Sequence, residues 1–157
     1  IGRTIGKYLY SEEEVALGNE MRKRFFMDKF CLSLYKMSKS QVIMTGDVQL
    51  EYGGVKYSLN MKCKYDLFSD KARIGSDIKS TVATTQEQFE SSIYHFDYDR
   101  QRAVYMNLSG LEKDVVIGIS KKNLNVFKVF IKRGDKVYNS GMEKLSSLGY
   151  KYYIMFG

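Results

Sequence analysis

From Ser11 onward the apolar residues first recur at helical spacing. Leu17, Met21 and Phe25 form one stripe, and Phe26, Phe30 and Leu34 form another beside it, the pattern of a helix with one buried side. Ser11 followed by Glu12, Glu13 and Glu14 is a capping box with acids at the positive helix end. A helix is therefore predicted from Ser11 to about Lys36. Residues 38–40 read as a loop, and then the period drops to two. Residues 42–52 and 55–67 are predicted strands, joined by Gly53-Gly54, where both positions can take positive φ in a hairpin turn. Residues 73–82 form a third strand. Thr85 with Gln88 opens a second helix lasting to about Met106. Residues 115–120 and 126–132 are two more strands, with Lys122-Asn123 in the turn between them. Asp135 caps a last, weaker helical region interrupted by Gly141 and Gly149. The order is α-β-β-β-α-β-β-α, a mixed α/β chain without repeats or linkers.

Composition narrows the class. A chain of 157 residues fits one domain spanning 1–157 and buries about two-thirds of its unfolded surface. A hydrophobic share of 44% with 14% aromatics marks a globular protein. The net charge of +7 and a pI near 9.3 favour an anionic partner. Cys31 and Cys63 are isolated, which fits a reducing cytoplasm and gives no zinc or iron–sulfur spacing. No apolar run approaches the roughly 18 residues of a membrane span. Opening on Ile1 with no complete first element, the sequence reads as a trimmed or partial chain.

The chemistry concentrates in KCKYDLFSDKARIGSDIK, residues 62–79. One strand delivers Asp66 and the next delivers Asp77 and Lys79. Side chains two apart on a strand share a face roughly 6–7 Å apart, so Asp77 and Lys79 point one way and Ile78 turns into the core. On the preceding strand Tyr57, Leu59, Met61, Cys63 and Tyr65 share one face. Ser58, Asn60, Lys62, Lys64 and Asp66 share the other. Two acids and a lysine are thus expected to converge on a polar sheet face, as a divalent metal and a phosphodiester require. A lone acid-x-lysine is a common accident, and its bland reading is an exposed ion pair worth at most about 1 kcal/mol. Gln101 and Tyr105 lie four apart on one face of the next helix, which Tyr94 and Tyr98 extend. Phe89, Ile93, Phe96 and Ala103 form the stripe beside it. Tyr94 reads as core filler, whereas an amide such as Gln101 on that face needs hydrogen-bond partners. His95 is the only histidine, which excludes a His dyad or a His-rich metal site. No Gly-rich phosphate loop and no Ser-His-Asp pattern is present.

Asp66, then Asp77-x-Lys79 in DIKST, then Gln101-x-x-x-Tyr105 in YDRQRAVYM, resembles the PD-(D/E)XK nuclease superfamily. More narrowly it resembles the branch of lambda exonuclease, exodeoxyribonuclease VIII and the RecB nuclease domain. The resemblance spans about Gly18 to Met106. It implies a restriction-endonuclease-like mixed sheet flanked by helices, with an α-β-β-β-α-β core over about 11–132. Tyr65 stands where the superfamily name has proline, and the chain is shorter than typical members.

The resemblance also implies roles. Mg²⁺, with Mn²⁺ as a substitute, would be held by Asp66, Asp77 and the Ile78 carbonyl, with Glu20 after Gly18 as the helix acid and Glu14 as its alternative. Lys79 would orient or deprotonate the attacking water. Gln101 and Tyr105 would support the site and contact nucleic acid. Ser80 and Thr81 could bond a neighbouring phosphate, though Thr81 could equally be a β-former satisfying its strand. Lys62 and Lys64, on the face of Asp66, are candidate phosphate contacts, while Arg22, Lys23 and Arg24 fit a solvated helix face. The expected function is a Mg²⁺-dependent deoxyribonuclease, an exonuclease of recombination or phage-related DNA processing. DNA is its partner, with a second copy or a recombination protein as further company. The alternatives are a catalytically inactive nucleic-acid-binding domain of the same fold, and a basic interaction domain with no nucleic-acid role.

Overall fold

The computed structural model describes residues 9–157; the expectation that no complete element precedes Ser11 lies largely outside them. Ten elements follow in order. They are α1 (Glu12–Met27), α2 (Lys29–Met37), β1 (Lys39–Tyr52), β2 (Val55–Ser69), β3 (Ile74–Thr81), α3 (Gln86–His95), α4 (Tyr98–Ser109), β4 (Lys113–Ser120), β5 (Val126–Lys132) and α5 (Lys136–Phe156). The sheet runs β1-β2-β3-β4-β5, with β3 and β4 parallel and every other pair antiparallel. A parallel pair needs a crossover, which α3 and α4 supply. The mixed α/β architecture is the one expected.

Helices cover the sheet on both faces. Phe25, Cys31 and Leu34 of α1 and α2 pack on Leu67, Val115, Ile117 and Ile119. On the other face Phe89, Ile93, Ala103 and Met106 pack on Val116, Phe127, Val129 and Ile131. β4 is buried on both sides, which explains its unbroken apolar run Val115-Val116-Ile117. The free length of the β1–β2 hairpin leans Val48, Leu50 and Tyr57 on Leu145 of α5. Its turn has Gly53 and Gly54 at φ of 58° and 80°, as the sequence required.

Both long helices expected from the sequence are broken. The first stops at Asp28, whose extended backbone (φ −75°, ψ 122°) ends α1 and whose carboxylate accepts from Cys31 N–H to cap α2. The apolar stripe runs through the break, because Met21, Phe25, Phe26, Phe30 and Leu34 all face one cluster. The second breaks at Phe96-Asp97, with Asp97 left-handed at φ 56°, a conformation Asp tolerates better than most residues. Lys144 holds that break from α5, donating to Tyr94 O, Asp97 Oδ1 and Asp99 Oδ1. Phe96 is consequently exposed rather than part of the stripe with Phe89, Ile93 and Ala103.

Three smaller expectations change. The loop at 38–40 shrinks to Ser38, because Lys39 already pairs with Phe68. The third strand is Ile74–Thr81, shortened at both ends. Gly141 and Gly149 do not interrupt α5. A Cβ at Gly141 would run into Asp99 O, and one at Gly149 would lie 3.0 Å from Tyr57 Oη. They are points of close approach.

Candidate active site

β2 and β3 pair only through Leu67↔Ser76, Phe68↔Gly75 and Ser69↔Ile74. Beyond these pairs the strands fork, and the fork begins at Asp66 and Asp77. Asp66 Oδ2 accepts from the N–H of Ile78 at 2.8 Å, filling the place of a ladder carbonyl. Its Oδ1 accepts from Gln41 Nε2 at 3.2 Å. The N–H of Ile78 belongs to the peptide that follows Asp77, so the two acids meet across one peptide group.

Asp77 and Lys79 do point the same way. Lys79 Nζ lies 2.6 Å from Asp77 Oδ2 and 4.7 Å from the centre of the Tyr98 ring on α4. Asp77 is only 5% exposed, so this pair is far from the exposed surface bridge of the bland reading. The ammonium approaches Asp77 Oδ2 without hydrogen-bond alignment, leaving that buried oxygen with unused acceptor capacity. Ile78 turns to the opposite face and packs against the α1–α2 cluster, as expected.

Asp66 does not share the Asp77–Lys79 face. It lines a groove of about 440 Å³ with Arg22, Phe26, Tyr35, Gln41 and Ile78 under α1 and α2. The physical reason is a slip in the alternation of β2. Cys63, Tyr65 and Phe68 all enter one cluster while Leu67 enters another, so the period of two breaks between Tyr65 and Phe68. Glu20 does not join the acids. α1 docks through Met21, Phe25 and Phe26 and leaves Glu20 exposed. Among the described residues no three His, Cys, Asp or Glu side chains are grouped to hold a metal ion. Glu14 is engaged in the cap, its carboxylate accepting from Ser11 N–H at 2.8 Å.

Gln101 and Tyr105 project from α4 as spaced. Gln101 Oε1 is buried without a partner. Tyr105 lies edge-on to Tyr65, centroids 5.0 Å apart, and beneath the Arg102 guanidinium at 4.0 Å. Tyr94 does not extend their face, because it belongs to α3 across the break. His95 is exposed at the end of α3. Lys62, Lys64 and Ser80 are exposed. Thr81 is buried and its Oγ1 accepts from Ala83 N–H at 3.1 Å, so its hydroxyl serves the chain rather than a phosphate.

Behind Asp77 lies a group of residues absent from the sequence reading. Arg102 and Asp114 are both fully buried, Nη1 to Oδ1 3.5 Å. Nε and Nη2 of Arg102, Oδ2 of Asp114 and Oγ of Ser76 have no partner. Burial, joined by the charge of Asp77, pushes the Asp114 carboxyl up to about 7 against the pull of Arg102. Burial opposes the charge of Arg102, but Asp114 and Asp77 hold its guanidinium above its ordinary value. Position 102 follows Gln101 in the helix motif and precedes Ala103 on the buried face, a signal that marked the position as inward. Gln41 carried no such signal.

In kind the donors suit a hard cation. Asp66 and Asp77 offer oxygen ligands from the two faces of one peptide, and Asp77 Oδ2 is an acceptor lacking an aligned donor. Gln101, by contrast, lines a separate hollow with Phe96, Leu145 and Leu148. Sulfur and imidazole are absent from the fork.

No curated protein matches the chain. Solved structures do. The phage-related exonuclease from Haemophilus somnus 129PT aligns over 95% of this chain and 75% of its own, with 14% identity and a TM-score of 0.51, a likeness of fold. The alkaline exonuclease from Laribacter hongkongensis aligns over 98% of this chain and 77% of its own at 12% identity, TM-score 0.41. SSO0001 aligns over 81% at 12% identity, TM-score 0.47, and the chain spans 57% of its length. The family model described as a PDDEXK-like domain of unknown function (DUF3799) matches residues 3–151, nearly the whole sequence, and the chain belongs to that family.

Proposed function

We propose that this domain is a metal-dependent deoxyribonuclease of the lambda exonuclease-like branch, hydrolysing phosphodiester bonds at duplex ends in recombination or phage-related DNA processing. The observation that carries the reading is the fork. Asp77 and Lys79 pair at 2.6 Å on β3, and the Asp66 carboxylate is bonded to the peptide between them.

Asp66, Asp77 and the Ile78 carbonyl would hold a divalent cation, Mg²⁺ or in its place Mn²⁺, with Glu20 reaching the site only if α1 shifts. The ion would activate a water near neutral pH and neutralise charge on the attacking and leaving oxygens. Lys79 orients the attacking water and stabilises the negative charge that builds on the phosphate. Gln101 presents an unpaired amide oxygen from α4. Tyr105 is held between Arg102 and Tyr65 and braces that helix against β2. Lys62, Lys64 and Ser80 lie on exposed positions where a DNA backbone can be followed, and each lysine removed lowers affinity in a salt-dependent way. The likeness in fold to the phage-related exonuclease from Haemophilus somnus agrees with this reading.

The test is cleavage of linear duplex DNA with Mg²⁺ or Mn²⁺, beside Asp77→Ala and Lys79→Ala. Loss of about 100-fold or more is expected in each variant. Equal activity in all three proteins, or none, counts against the proposal. A nucleic-acid-binding domain without hydrolysis is the second reading, favoured by the lack of a third acid beside Asp66 and Asp77 among the described residues. It predicts salt-dependent DNA binding unchanged by EDTA and no metal-dependent cleavage.

A further inference from the structure

Gln41 sits within β1 at φ 57°, in the left-handed region. That backbone costs a non-glycine residue on the order of 1 kcal/mol and persists only where its surroundings impose it. The strain has a definite location. Along the whole hairpin, the ladder runs Lys39↔Phe68 and Ser40↔Leu67, omits Gln41 and Asp66, resumes at Val42↔Tyr65 and continues to Tyr52↔Val55. The single omission falls opposite Asp66.

The same point is where β2 loses its alternation, Tyr65 and Phe68 entering one cluster and Leu67 the other. Local distortions of this kind re-aim a side chain at the cost of ladder bonds. Here the re-aimed side chain is Asp66, which the β2–β3 register would set on the face of Asp77 and which instead turns to the α1–α2 side and accepts from the N–H of Ile78. Gln41 Nε2 then takes the other oxygen, at 3.2 Å. The two bonds, one per oxygen, fix the carboxylate in rotation.

We propose that Gln41 is the positioning residue of Asp66, its strained backbone retained because it opens the ladder and its amide aims the carboxylate at the fork. Gln41 touches neither substrate nor the reacting atoms. It acts through Asp66, and its role in hydrolysis rests on the nuclease reading.

The experiment compares the intact chain with Gln41→Ala, which loses the amide and keeps the strain, and Gln41→Gly, which loses both. Amide hydrogen exchange of Ile78 is followed without metal, and Mn²⁺ binding by calorimetry, with Asp66→Asn as control. With a bond to a charged group removed, exchange at Ile78 accelerates about tenfold or more in both variants. Mn²⁺ affinity falls in parallel, while Gln41→Gly melts above Gln41→Ala because the left-handed strain is gone. Unchanged exchange at Ile78 in Gln41→Ala overturns the proposal, whatever the metal result. Accelerated exchange, with no difference in Mn²⁺ binding between the parent and Asp66→Asn, keeps Gln41 as positioner of Asp66 and overturns the metal site instead.

Discussion

Arg102 of α4 and Asp114 of β4 form an ion pair, 3.5 Å apart, with neither side chain reached by solvent. Removing one partner of such a pair leaves a buried charge uncompensated, whereas removing both for apolar residues is often neutral. Arg102→Met is therefore expected to cost about 3–5 kcal/mol. Arg102→Met combined with Asp114→Leu recovers most of that loss. Urea melts of the two variants check the order.

The same pair sets a pH dependence. Asp114 has its folded pKa raised to about 7 from 3.8, chiefly by burial, with Asp77 adding and Arg102 opposing. The folded state therefore holds a proton there that the unfolded chain has released, between about pH 4 and 7. Stability from this group is present at the acid end of that window and is lost as pH rises through it, by at most about 1.4 kcal/mol per unit. Asp114→Asn removes the slope. The measurement is the difference in urea midpoint between parent and variant at pH 5 and 7.5, and the parent loses ground relative to the variant.

Asp77 carries a cost to the fold. It is a nearly buried carboxylate whose Oδ2 lacks an aligned donor, and its charge adds to that of Asp114. Asp77→Asn is expected to leave the melting temperature equal or higher while cleavage falls by about 100-fold. A thermal melt beside the nuclease assay reads both, and a large loss of stability would contradict the placement.

The glycines separate close approach from mere helix weakness. Gly141→Ala drives a methyl into Asp99 O and is expected to destabilise by about 1–3 kcal/mol. Gly18, within α1, has nothing within 4 Å of a Cβ. Gly18→Ala is expected to stabilise by about 1 kcal/mol. Calorimetric melting of the two variants gives opposite signs.

Much of this was legible in the residues. The Gly53-Gly54 turn, the Ser11, Thr85 and Asp135 caps and all five strands follow from turn chemistry and period. The DIK tripeptide was correctly placed with its lysine beside its acid. The helix breaks were hidden because the apolar stripe at Phe25, Phe26 and Phe30 continues across Asp28, so a capped break and an unbroken helix give the same period. Asp66 stays opposite Tyr65, as alternation requires, but does not join Asp77 and Lys79, because the expected convergence assumes an undistorted strand and the slip opposite Gln41 is a backbone event without a residue signature. Arg102 is hard to read from the sequence because its charge argues for a surface position and outweighs its place beside Ala103 on the buried face, and the tertiary neighbours Asp114 and Tyr105 reverse that.

Lys144 joins the two halves of the crossover from outside it. By gripping Tyr94 O, Asp97 and Asp99 together, it fixes the angle at which α4 leaves the bend. The tilt of α4, and with it the placement of Gln101 and Tyr105, is thus governed by a cation on α5 that lies outside the fork. Loosening that grip, as Lys144→Met would, turns a rigid elbow into a joint and frees α4 to change its tilt against the sheet.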